Sequence, residues 1–250
     1  MVDDNFTRIR VAEREGYLEV VLNRPEVRNA IDERLVHELH DVCTRIELSP
    51  NVLVITGAEG IFAAGADIGE LRNRGIAEAL RGINSRLFER IAGLPLPTIA
   101  AIDGPAIGGG AELAYACDFR LASSRAKFGN PEVGLGIIAG AGATWRLRDL
   151  VGLSIATDVL LGGRVLSAEE ALRYGLVTEL VESEGLVNAV EALVARIRRG
   201  SNDALRLTKV SLKASRSAHP VIDEVSQAVL FQTAEKRERM DRFLKSRDQR

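Results

Sequence analysis

Residues 97–116 read PTIAAIDGPAIGGGAELAYA. A short apolar run bounded by Pro97 and Gly104 reads as a strand buried on both faces. Gly108, Gly109 and Gly110 follow side by side, and from Gly109 the chain turns to AELAYA, a helix-forming segment. The stretch is therefore strand, glycine turn, helix. Residues 51–57, NVLVITG, repeat its first half, too short and too β-branched for a helix, and lead into GAEGIFAAGADIGE at 57–70. Two buried strands, 52–56 and 98–102, each leading into a glycine-bearing turn, predict a parallel sheet in an α/β protein.

Working outward, TRIRVAEREGYLEVVLNRP (7–25) predicts two strands around a turn at Glu15–Gly16. Asp32 caps a helix whose Leu35, Leu39, Val42 and Ile46 fall at helical spacing. RGINSRLFERIAGL (81–94) is an amphipathic helix, and DFRLASS (118–124) and AKFG (126–129) are strands. Beyond about residue 140 the pattern is mostly helical, with AGATWRLRDLVG and LSIATDVLLGG as helices, LVTELV (176–181) as a strand and Ser167 with Glu170 as a capping box. One long helix is expected from about 221 to 246. The organisation is a spiral of repeated strand–strand–helix units over 1–195, followed by a helical region over 196–250.

The formal net charge of −2 argues against electrostatic binding to nucleic acid or to an anionic membrane. Cys43 and Cys117 do not make a disulfide framework, and the opening MVDDNF has neither a basic segment nor an apolar signal core, so a reducing cytoplasm is expected. No window approaches eighteen uncharged apolar residues. His37 and His40 share a helix face, but the third histidine, His219, is remote, and no metal site is expected.

Glycines at a helix N-terminus let another molecule approach unpaired main-chain N–H groups. Phosphate is one guest, but the Gly-Lys-Ser/Thr ending of a P-loop is absent, and Leu113 stands where a dinucleotide fingerprint needs its third glycine. An oxygen that gains negative charge during reaction is another, and it needs a donor from each of two turns. The second turn exists as AAGADI (63–68). Tight packing is the competing reading of the same glycines. Two acids bear on the choice: Glu112, in the first turn of the helix, and Glu132, in the apolar loop FGNPEVGLGI (128–137). If both face one pocket, repulsion and desolvation raise at least one pKa and supply an acid and a base near neutrality.

With these residues in view, the chain resembles the enoyl-CoA hydratase/isomerase (crotonase) superfamily nearly end to end. The resemblance runs through LNRPEVRNAID (22–32), FAAGADIGEL (62–71), AIDGPAIGGGAELAYACDFRLAS (101–123), AKFGNPEVGLGIIAGAGATWRL (126–147) and GLVTELV (175–181). It implies a crotonase-like spiral, and hydration of trans-2-enoyl-CoA thioesters without metal or redox cofactor. By position, the N–H groups of Ala66 and Gly109 match the oxyanion pair. Ala64, Ala66, Asp67, Ile68 and Gly69 match the stretch along the CoA moiety. Glu112 and Glu132 match the two catalytic glutamates, Glu112 activating water and Glu132 protonating carbon 2, and Gly140 matches the position that helps hold the water. The resemblance also implies a homotrimer or homohexamer, with 196–250 as the trimerisation region.

Ala139, Ala143 and Trp145 depart from the proline, glycine and glutamine common in hydratases. Trp145 reads either as a core residue or as a wall of the acyl pocket. Phe243 and Arg247 fit loosely a pattern that binds the adenine end, although Ser246 stands where lysine is frequent. Within the superfamily, a Δ3,Δ2-enoyl-CoA isomerase typically keeps only the acid at position 132, so two glutamates favour hydration. A serine peptidase of related fold lacks its Ser-His pair here. From another class, a non-catalytic acyl-CoA or RNA binder remains open, KRERMDRFLKSRDQR (236–250) being the basic run to note.

Overall fold

The computed structural model describes residues 6–247; the leading MVDDN, on which part of the reading of compartment rests, lies outside them. The strands are β1 Ile9–Arg14, β2 Tyr17–Leu22, β3 Val52–Gly57, β4 Thr98–Ile102, β5 Pro105–Ile107, β6 Phe119–Ser123, β7 Lys127–Gly129, β8 Leu166–Ser167 and β9 Glu179–Val181. One sheet has the order β1-β2-β3-β4-β6-β9 and a smaller one β5-β7-β8. The β1–β2 hairpin is antiparallel, and from β2 to β9 every neighbour in the large sheet is parallel. Parallel strands covered on both faces explain the unbroken apolar runs, and all five residues of β4 are buried.

Two successive turns of the chain have the same plan. Strand β4 belongs to the large sheet, β5 to the small one, and the helix Gly109–Ala116 follows; β6, β7 and the helix Ala143–Leu160 repeat this. The segment after β3 joins the stack through parallel bridges of Ala63 with Ala106 and of Ile31 with Ala66. Equivalent positions in consecutive turns therefore lie side by side. Phe62, Phe88 and Phe128 fill the interior and are fully buried.

Three expectations change. Beyond the expected strand at 98–102, Pro105–Ile107 is a separate strand of the small sheet where only a turn was expected. Two short helices, Ile68–Asn73 and Ile76–Arg81, stand where only a turn was expected; the first is capped by Asp67, whose carboxylate accepts from the N–H groups of Gly69 (3.0 Å) and Glu70 (3.4 Å). The long C-terminal helix is two, Val221–Phe231 and Ala234–Arg247. The Thr233 hydroxyl ends the first by donating to the Leu230 carbonyl (2.8 Å) and starts the second by accepting from Lys236 N (3.3 Å).

By density of contacts the chain divides into two compact units, Met1–Ala195 and Arg196–Arg250. The first holds both sheets. The second holds Asn202–Lys213 and the two C-terminal helices, and within it the Arg239 guanidinium donates to the carbonyls of Arg199 (2.7 Å) and Gly200 (3.0 Å).

Candidate active site

Ala66 lies three residues beyond Ala63 in one turn, and Gly109 three residues beyond its bridge partner Ala106 in the next. Stacking of the turns brings them together: a Cβ added to Gly109 would sit 3.3 Å from Ala66 N. Their neighbours are all paired. Ile31 N donates to Gly65 O (2.8 Å), Asp67 N to Ile31 O (3.0 Å) and Gly108 N to Gly129 O (2.8 Å). The N–H groups of Ala66 and Gly109 have no acceptor among the described residues. Two main-chain donors thus border one small space and are left for a guest.

The three glycines have different causes. Gly108 has φ +53°, a left-handed conformation that a side chain strains. Gly110 permits close approach, since a Cβ there would fall 2.3 Å from the Ala63 carbonyl oxygen. Gly109 has an ordinary backbone, and its missing side chain leaves open the space beside Ala66.

Glu132 borders this region, its Oε1 3.2 Å from where a Cβ on Gly108 would stand, and Glu112 lies near enough to feel its charge. Glu112 is 4 % exposed, and its Oε1 accepts from Ala141 N (2.7 Å) and Ala143 N (3.1 Å). Burial pushes its carboxyl up to about 7, and the charge of Glu132 adds to the rise, while the two main-chain donors work the other way. Glu132 is 8 % exposed; burial raises its pKa too. Its Oε1 lies 3.5 Å from Asn130 Nδ2, and its Oε2 is buried without a hydrogen-bond partner among the described residues. Asn130 is itself placed by the Tyr115 hydroxyl, which donates to its Oδ1 (3.1 Å). Behind Glu112, the buried Arg146 donates to Ala141 O (3.1 Å) and pairs with Glu89, which fixes the loop that supplies the donors to Glu112.

A raised carboxyl has a consequence for stability. The fold favours the protonated form of Glu112, so its contribution is complete below the unfolded value near 4.5 and is lost as pH rises through about 7. Glu112→Gln is therefore expected to melt several degrees above wild type at pH 8, with the gap closing at pH 4.5. A melting difference that does not change with pH would contradict it.

Asn130, Glu132, Ile138, Ala139, Leu153 and Leu160 line a largely apolar cleft of about 240 Å³. Trp145 does not line it, nor is it a core residue: it is 49 % exposed, with the Arg146 guanidinium 4.0 Å over its ring. Of the other expected residues, Gly140 is exposed beside the loop that contacts Glu112, and Ala64 N is committed to Arg28 O (3.0 Å). Ile68 and Gly69 begin the helix that Asp67 caps, so the Asp67 carboxylate has a structural task, which Arg24 at 3.4 Å reinforces. Phe243 and Arg247 lie on the last helix of the second unit. Sequence reasoning missed Asn130 and Arg146. Asn130 had a signal, a polar side chain in the same apolar loop as Glu132, whereas Arg146, close to Arg148 and Asp149, had none.

A profile of the family described as "Enoyl-CoA hydratase/isomerase" matches residues 12–250. A crotonyl-CoA hydratase of Syntrophomonas wolfei is 39 % identical over 249 residues, 95 % of each chain. A short-chain-enoyl-CoA hydratase of Clostridium acetobutylicum is 41 % identical over 208 residues, 81 % of this chain and 80 % of that one. A solved enoyl-CoA hydratase from Bacillus anthracis superposes with a TM-score of 0.90 at 32 % identity, over 96 % of this chain and 97 % of that one. Profile, relatives and fold agree: the chain belongs to the enoyl-CoA hydratase/isomerase family.

Proposed function

We propose that this chain is an enzyme, an enoyl-CoA hydratase that adds water across the double bond of short trans-2-enoyl-CoA thioesters. The observation that carries the reading is the pair of unpartnered main-chain donors at Ala66 and Gly109 beside two buried carboxyls. The names of the similar proteins support the substrate class. The thioester oxygen accepts from both N–H groups, which draws electron density from carbon 3. Water beside Gly140 attacks carbon 3 and yields a proton to the Glu112 carboxylate. The enolate oxygen is held by the same two donors while Glu132 delivers a proton to carbon 2. Exchange with solvent then returns the pair to its starting state. Addition of water requires no net electron transfer, so the step calls for no redox cofactor, and these residues supply the acid, the base and the electrophilic stabilisation without a metal.

Glu112 is the base in this reading because its carboxylate, once ionised, keeps two main-chain donors, and Glu132 is the acid because its Oε2 has none among the described residues. The acyl chain enters the cleft beside Glu132, and the turn from Ala64 to Gly69 lies along the CoA moiety. Retention of both acids favours hydration over isomerisation of 3-enoyl-CoA.

The test is loss of conjugated-thioester absorbance on mixing with crotonyl-CoA, and a product heavier by one water. The rate is expected to be bell-shaped in pH. Below the acid limb both carboxyls are protonated and no base remains; above the alkaline limb both are ionised and no acid remains. Because Glu112 is pushed up to about 7, the acid limb lies well above that of an ordinary glutamate. Tight acyl-CoA binding without turnover would move the reading to isomerase or to a binding protein.

Assembly as a homotrimer or homohexamer, with 196–250 at the contacts, is part of the same proposal, for light scattering to decide. The exposed apolar side chains of Val221, Val225, Val229 and Phe243 in that region support burial against further copies. Among the described residues no helix is long and apolar enough to cross a membrane. The two buried free cysteines support a reducing compartment, the cytoplasm.

A further inference from the structure

Helix Ile83–Ala92 buries Leu87, Phe88 and Ile91 on one stripe, and one turn before them on that stripe stands Asn84. An apolar residue is the ordinary occupant of such a position. The Asn84 carboxamide makes no hydrogen bond among the described residues, and its Oδ1 is buried without a partner. Leaving a buried polar group unpaired destabilises the fold. The unpaired Oδ1 is an acceptor and no thioester oxygen can satisfy it, but the Nδ2 of the same carboxamide is a donor with no protein acceptor and is left uncommitted.

Its position says which ligand atom. The point that a Cβ on Gly109 would occupy lies 3.5 Å from Asn84 Nδ2 and 3.3 Å from Ala66 N. The side-chain amide therefore borders the same small space as the two unpartnered main-chain amides. We propose that Asn84 is a third hydrogen-bond donor to the thioester oxygen, beside Ala66 and Gly109. This rests on the hydratase reading above. Asn84 gives up no protein hydrogen bond when it turns to the oxygen. The bond strengthens as the oxygen gains charge, so its effect falls on the transition state more than on substrate binding.

The test uses acetoacetyl-CoA, a 3-ketoacyl thioester whose C2 proton leaves to solvent to give an enolate that absorbs in the near ultraviolet. Donors at the thioester oxygen stabilise that enolate, so the pH at which the bound ligand enolises reports them directly. Wild type, Asn84→Ala and Asn84→Asp are compared at saturating ligand, with binding measured calorimetrically. Removal of the donor is expected to raise the bound enolisation pKa by about one unit and to lower kcat on crotonyl-CoA about tenfold, with KM little changed. The isosteric aspartate, charged beside the oxyanion, should do more. An asparagine that only fills space would leave the bound enolisation pKa of the alanine variant where it is in wild type, and that result overturns the proposal. Should the alanine variant fail to fold, Asn84→Leu, of nearly the same size, uncharged and without a donor, decides in its place by the same criterion. Failure of the wild type itself to hydrate crotonyl-CoA and to enolise the ligand would instead overturn the hydratase reading, and the role of Asn84 with it.

Discussion

Glutamine at position 132 should lower kcat on crotonyl-CoA by about 10²–10⁴ while leaving acyl-CoA binding within a few-fold of wild type. A glutamine has the size of the glutamate but no proton to deliver to carbon 2. The fold should accept the change, because Glu132 Oε2 has no partner to lose among the described residues. Glu112→Gln should produce a loss of similar size for the opposite reason. Its oxygen can still accept from Ala141 and Ala143, yet it can no longer take a proton from water. Because the two carboxyls act on one water and one intermediate, the double variant should be little worse than either single one. Steady-state rates alongside calorimetric affinity for an acyl-CoA check all three. If Glu112→Gln kept full activity while Glu132→Gln lost it, the protein would be working with one acid. Hydration by a single acid would then replace the two-acid mechanism.

The second large effect is expected at a residue with no side chain. Gly109→Ala places a methyl group 3.3 Å from Ala66 N, in the space left between the donors. The thioester oxygen is displaced and both hydrogen bonds lengthen. Loss of one such donor typically lowers kcat by about 10²–10³, and at least that is expected here. The fold should hardly respond, because Gly109 lies in a helix and alanine is the better helix former. Gly110→Ala is the contrasting neighbour. Its Cβ would fall 2.3 Å from the Ala63 carbonyl oxygen and 2.7 Å from the Ala63 Cβ, so the turns must separate and the protein should melt much earlier. Melting curves and crotonyl-CoA kinetics on the two variants separate the effects. An active, stable Gly109→Ala enzyme would refute the donor pair.

The parts of this structure that were legible in the sequence are those written in local chemistry. Buried parallel strands announce themselves as unbroken apolar runs, Asp32 and the Ser167–Glu170 pair mark helix starts by their side chains, and Glu112 and Glu132 stand out as acids among apolar residues. What was not legible depends on contacts distant in the chain. The separation of β4 from β5 is imposed by pairing of Pro105–Ile107 with Lys127–Gly129. The Ile68–Asn73 helix depends on how Asp67 turns onto Gly69 and Glu70, and the break near Thr233 on one hydroxyl in a mixed-charge segment without a strong apolar stripe. Asn84 falls between the two cases. Its spacing from Leu87, Phe88 and Ile91 was visible, but its proximity to Gly109 was not, since the two are joined only through the stacking of turns.

That stacking has an evolutionary consequence. Ala66 and Gly109 each lie three residues beyond the bridged pair Ala63 and Ala106, so their closeness comes from the stacking of the turns and owes nothing to side-chain chemistry. An electrophile-binding device made of main chain is inherited with the fold. Mutation can strip or exchange the acids, or reshape the cleft, without erasing it. On the proposed reading, a lineage built on this scaffold could change its reaction and keep its main-chain hold on a thioester carbonyl.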